Sequence, residues 1–166
     1  MQGRAMSGPA WLEEASKHIG TREIPGPKHE SKIIGWFKAI HAAWFVADEV
    51  PWCAAFVGGC LEAVGIRSSR SAAAKSYLTW GVPLSAPVVG CIVVFLREGG
   101  GHVGFVVGKD AKGRLMVLGG NQGDAVTIAP FERARAVGFR WPAAVPLGID
   151  SLPTVISEAA SSTNEA

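Results

Sequence analysis

Three residues widely spaced along the chain could together perform acyl transfer: Cys53, His102 and Asn121. Cys53 lies in Pro51-Trp52-Cys53-Ala54-Ala55-Phe56-Val57, where a proline and a tryptophan lead into a small-residue apolar helix. The thiol is thereby placed in the first helical turn. Unpaired N–H groups and the positive end of the helix dipole favour negative charge there, and a cysteine so placed loses its proton more readily. His102 is flanked by Gly99, Gly100 and Gly101 on one side and Gly104 on the other, at the start of an apolar strand. Asn121 follows Gly119 and Gly120 after a second strand and precedes Gln122. An amide that accepts the N–H of one imidazole nitrogen leaves the other to take the thiol proton and return it to a leaving amine. That set needs neither a metal nor an organic cofactor.

Each residue also has a plainer reading. A cysteine on an Ala- and Val-rich helix is commonly a small buried hydrophobe. Cys60, seven residues on and in mid-helix, fits that description. His102 alone could be a hairpin histidine, and Asn121-Gln122-Gly123-Asp124 alone is an ordinary turn. His18, His29 and His41 read as solvent-exposed residues of helices or turns. What favours the catalytic reading is the combination, because each of the three residues sits at the edge of a regular element that can hold it in place.

The elements that must do the positioning come in two blocks. The first is helical. Ser7-Gly8-Pro9 opens a helix that Gly20 closes, and Thr21 to Pro27 is a proline-stiffened turn carrying Glu23. Ser31 to Ile40 has helical periodicity. The cysteine helix runs to about Gly65, and a further short helix covers Ser71 to Trp80. After Pro87 the pattern becomes β: strands are predicted over Cys91–Leu96, Val103–Val107 and Leu115–Leu118, with weaker signals at Val126–Ile128 and Val137–Trp141. Helices first and strands afterwards predict an α+β fold in which N-terminal helices pack on an antiparallel sheet. The domain is expected over residues 1–145. From 146 to 166 the sequence has no period and reads as a disordered tail.

The 166 residues, 48% hydrophobic and 18% charged, suffice for one core. The formal charge of +2 with scattered Lys and Arg gives no basic groove, so nucleic acid is not an expected partner. Three cysteines, Cys53, Cys60 and Cys91, form neither a disulfide framework nor a zinc pattern, and no metal is expected. The N-terminus lacks the apolar core of a secretory signal, and no span is apolar enough for membrane insertion. A cytoplasmically made, monomeric chain is therefore expected, acting elsewhere only after release or injection.

Five segments together resemble the CHAP and NlpC-type cysteine peptidases and amidases, in particular a phage-associated branch: Gly20 to Gly26, Pro51 to Val57, Trp80 to Leu84, Gly101 to Val106 and Leu118 to Asp124. The resemblance implies a papain-like core, with Cys53 as nucleophile, His102 as base and then acid, and Asn121 orienting the imidazole. It also implies bacterial peptidoglycan as substrate and cell-wall action, with a holin, a secretion apparatus or an immunity protein as further partners. A stem-peptide bond is favoured over the bond between muramic acid and L-alanine. Glu23, Trp52 and Gln122 are expected to line the substrate cleft. One departure stands out: relatives usually have Pro-Gly-Asp where this chain has Val89-Gly90-Cys91. That replacement supports an alternative, a catalytically silent wall-binding or phage structural module retaining the fold.

Overall fold

The computed structural model describes residues 8–24, 31–42, 51–97, 100–147 and 152–155. Among the described residues three α-helices come first: α1 (Ala10–Ser16), α2 (Ser31–Ala39) and α3 (Cys53–Ala63). A 3-10 helix, Ala74–Thr79, leads into the strands β1 (Val82–Leu84), β2 (Ile92–Arg97), β3 (Gly100–Lys109), β4 (Leu115–Gly119), β5 (Thr127–Phe131) and β6 (Ala136–Trp141). The strands form one sheet in the order β1-β6-β2-β3-β4-β5, with every neighbouring pair antiparallel. The α+β architecture is as the sequence predicts.

Pro9 starts α1 by accepting the N–H groups of Leu12 and Glu13, and the helix buries Trp11, Leu12 and Ala15. Trp11 Nε1 donates to Gly90 O at 2.7 Å, which ties α1 to the turn before β2. Helix α3 is buried at every position from Cys53 to Leu61, so it lies in the middle of the core. It reaches the sheet through Phe56, whose ring centroid is 6.3 Å from that of Phe105 on β3. On its other side Gly58 and Gly59 admit α2. A Cβ at Gly58 would lie 2.3 Å from Ile40 Cγ2, and one at Gly59 2.4 Å from Trp36 Cδ1. Two glycines in mid-helix cost propensity, but they let the helices approach more closely than alanine would allow.

Several boundaries differ from expectation. Ser71 to Trp80 holds a 3-10 helix over Ala74–Thr79 in place of a longer α-helix. Val82–Leu84, which lies outside the predicted strands, is an edge strand paired with β6. Pro83 is tolerated there because an edge strand has ladder groups on one side only. Within the stretch expected to be disordered, residues 152–155 are hydrogen-bonded to β3: Lys109 N donates to Pro153 O at 2.9 Å and Val155 N to Lys109 O at 2.7 Å. The rest of that stretch beyond 147, and the expected turn over Pro25–Pro27 and His29, lie outside the described residues. No helix among the described residues is long and apolar enough to cross a membrane.

Candidate active site

Cys53 is the first residue of α3, behind Trp52 as N-cap. Trp52 is entirely buried, stacked on Trp36 at 5.9 Å and 24°. Two side chains from elsewhere fasten this residue and therefore the helix start. Asn121 Oδ1 accepts the Trp52 backbone N–H at 2.8 Å, and Glu23 Oε1 accepts the indole Nε1–H at 2.9 Å. Glu23 is itself held against the loop after β4, since its N–H donates to Asp124 O at 3.1 Å. Cys53 retains 3% of its surface exposed.

His102 is fully buried, paired across the ladder with Phe95. Its ring lies parallel to Phe131 at 5.4 Å and 13°, and to Phe95 at 6.3 Å and 21°. Its Nε2 is 2.9 Å from Gln122 Oε1. The other end of the Gln122 amide decides the proton's position. Gln122 Nε2 donates to Val117 O at 3.1 Å and to Thr127 O at 2.9 Å, and carbonyl oxygens only accept. The amide orientation is thereby fixed with Oε1 toward the imidazole. An acceptor at Nε2 requires Nε2 to carry the hydrogen, so in neutral His102 the basic lone pair is on Nδ1.

The hydrogen bond to the imidazole is therefore made by Gln122 and not by Asn121, whose Oδ1 is on the Trp52 N–H. Asn121 has φ +62°, a left-handed conformation that asparagine tolerates, and this kink sends two consecutive amides to two different partners. Gly119 and Gly120 bring those partners close. A Cβ at Gly119 would lie 2.4 Å from Gln122 Oε1 and 3.4 Å from His102 Nε2, while one at Gly120 would lie 2.7 Å from the Trp52 ring and 2.8 Å from Phe56 Cβ. The imidazole with its amide and the start of the cysteine helix thus abut one dipeptide.

Two expectations about substrate contact change. Trp52 has no exposed surface, so its ring cannot touch substrate and serves as an anchor. Gln122 is 3% exposed and spends its carbonyl and its amide N–H groups on His102, Val117 and Thr127. Glu23 is half-buried, with one oxygen on the indole. Sequence reasoning missed the Phe95 and Phe131 walls of the imidazole, whose only signal was their place in predicted or neighbouring strands. It also treated His18 as exposed, whereas its Nε2 is 2.9 Å from Glu14 Oε2 and its ring packs edge-on against Trp36 at 5.2 Å.

The other two thiols are chemically quiet. Burial pushes the Cys60 thiol well up, with Glu14 adding to it. Cys91 is fully buried, and the loss of hydration raises it to about 12, more than the backbone hydrogen bond at Val88 and the charge of Arg133 bring it down. None of the three cysteines forms a disulfide. No group of His, Cys, Asp and Glu among the described residues is arranged to hold a metal ion.

No curated protein matches the chain. The family model described as CHAP domain matches residues 45–121, the stretch that carries Cys53, His102 and Asn121 and stops one residue short of Gln122, and over it the chain is similar to the papain-like amidases and peptidases of that family.

Proposed function

We propose that the chain is a peptidoglycan-degrading cysteine hydrolase that cleaves an amide bond through a thioester on Cys53, with a stem-peptide bond favoured over the muramoyl amide. The observation that carries this reading is the Gln122 amide, locked by two backbone carbonyls into the orientation that leaves the basic lone pair of His102 on Nδ1. In the reaction His102 Nδ1 takes the Cys53 proton and the thiolate attacks the amide carbonyl. The resulting oxyanion is met by N–H groups of the first turn of α3. Nδ1 then protonates the leaving amine, and water, deprotonated by the same nitrogen, hydrolyses the thioester. Gln122 orients the ring without a charge to stabilise the imidazolium, and Asn121 and Glu23 hold the helix start in place. The CHAP match supports peptidoglycan as the substrate class; holin, secretion apparatus and immunity protein stand as proposed partners of such an enzyme.

The catalytically silent alternative draws on one observation, Cys91 in place of the carboxylate usual in relatives, buried in the core. Loss of turbidity of purified cell walls decides between them. Clearing by the wild type and none by Cys53→Ala supports the hydrolase, and equal behaviour of the two proteins refutes it. Mass spectrometry of the released muropeptides identifies the bond cut.

A further inference from the structure

The aromatic wall behind His102 carries a charge that the proposed reaction does not use. Arg135 ends a 3-10 helix, Arg133–Arg135, between β5 and β6, where its N–H donates to Glu132 O at 3.0 Å. The next residue, Ala136, pairs with Phe95, and Phe95 pairs with His102, so Arg135 leads into the row of residues that holds the imidazole. A register shift sets this up. Val94 faces Gly138 while Phe95 faces Ala136, which leaves Val137 as the extra residue of a bulge, and bulges re-aim the side chains beside them.

The half-buried Arg135 guanidinium lies 5.7 Å from the Phe95 ring centroid and 5.6 Å from that of Phe131. These are the two buried rings that stand parallel to the imidazole, and they are 4.6 Å apart at 15°. One cation thus shares both phenyl rings with His102. Two effects then act in the same direction. A cation over a phenyl ring draws on its π density, which leaves the ring less able to hold a second cation. A guanidinium also keeps its charge, and it repels an imidazolium across an apolar wall where water screens little. Of the described groups around the imidazole, Phe95, Phe131 and Gln122 do not titrate, and Cys53 at the start of α3 does. Further charged side chains on the adjoining segments are Glu23, held on the Trp52 indole, Arg140, held on Trp80 O, and the solvent-exposed Lys75, Asp124, Glu132 and Arg133.

We propose that Arg135 is a positioning residue of the site, whose guanidinium acts through the Phe95 and Phe131 rings to keep the His102 imidazole in the neutral form that accepts the thiol proton. The assignment rests on the hydrolase reading for the role of His102 as base. Loss of the positive charge makes protonation of the Cys53 and His102 pair easier, and it does so whether the pair's own proton sits on sulfur or on nitrogen. The base form would then be available only at higher pH.

The test follows the His102 ring by NMR across pH in the isotope-labelled full chain, with the pH profile of Cys53 alkylation measured alongside. Arg135→Gln is expected to raise the His102 midpoint by about 0.5–1 pH unit and to carry the alkylation profile with it. Arg135→Met, which keeps a long apolar stem over the rings, is expected to give the same shift. Arg135→Lys restores a cation there and is expected to stay near the wild type. Arg133→Gln removes an equal charge two residues away, from over Phe139 at 5.5 Å, and is expected to leave the midpoint where it is. An unmoved midpoint in the uncharged Arg135 variants, or an equal shift in Arg135→Lys or Arg133→Gln, overturns the assignment. Wall clearing is read separately. A shifted midpoint without Cys53-dependent clearing refutes the hydrolase and keeps the charge effect, and clearing with an unshifted midpoint does the reverse.

Discussion

Replacing Gln122 by methionine keeps the volume of the side chain and removes every hydrogen bond it makes. Four groups lose a partner: His102 Nε2–H, Val117 O, Thr127 O and Thr127 Oγ1. His102 and Val117 are fully buried, so water cannot replace what they lose, while Thr127 is half-buried. An orphaned buried donor or acceptor costs about 1–3 kcal/mol, so the two enclosed groups cost about 2–6 kcal/mol together. A domain of ordinary stability survives that loss with a lower urea midpoint. The kinetic effect is separate. Without the acceptor at Nε2 the imidazole proton can move to Nδ1, which turns the base into a donor, and the ring loses its anchor. One buried hydrogen bond corresponds to about 10- to 100-fold in kcat/KM. Asn121→Ala is the control, because it removes the acceptor of the Trp52 N–H and places alanine at φ +62° while leaving the imidazole bond intact. It is expected to lower stability by about 2–3 kcal/mol with a smaller loss of activity and no shift in the His102 limb of the pH–rate profile. Muropeptide hydrolysis and urea unfolding followed by the tryptophans measure both variants. A larger kinetic loss in Asn121→Ala than in Gln122→Met would refute the assignment of the orienting role to Gln122.

Further outcomes are expected away from the imidazole. Burial raises the Glu62 carboxyl, but hydrogen bonds from Arg70 and from the Ser68 N–H and hydroxyl outweigh it and bring the group down to about 2 from 4.5. A depressed acid stabilises the fold above its unfolded value and loses that contribution as pH falls from 4.5 toward 2. The stability gap between wild type and Glu62→Gln, by urea unfolding, should therefore be full at neutral pH and close on acidification. Gly59→Ala gains about 1 kcal/mol of helix propensity but drives a methyl into Trp36, and a net loss of about 1–2 kcal/mol is expected from the same assay.

Much of this fold is readable from local pattern. Proline and tryptophan before a small-residue run mark the start of α3, and continuous apolar runs mark β2, β3 and β4 because these strands are covered on both faces. What escaped depends on backbone geometry or on distant partners. The choice between Asn121 and Gln122 turns on one positive φ, which redirects adjacent amides and which an asparagine allows but does not dictate. Trp52 looks like a cleft residue until Trp36, Glu23 and Asn121 close around it. Residues 152–155 pair with Lys109 through main-chain hydrogen bonds, which a side-chain pattern does not register. Phe95 and Phe131 reach His102 only once the four strands β2 to β5 are in register.

The central claim is that Cys53 and His102 work as a pair, and the pH dependence of thiol alkylation tests it most directly. With Cys60 and Cys91 held protonated by burial, labelling at neutral pH should fall on Cys53 alone. Its rate should persist well below the ordinary thiol range in the wild type, and in His102→Ala should follow an unassisted thiol. Uniform labelling of the three cysteines, or an unchanged Cys53 profile in His102→Ala, would contradict the account.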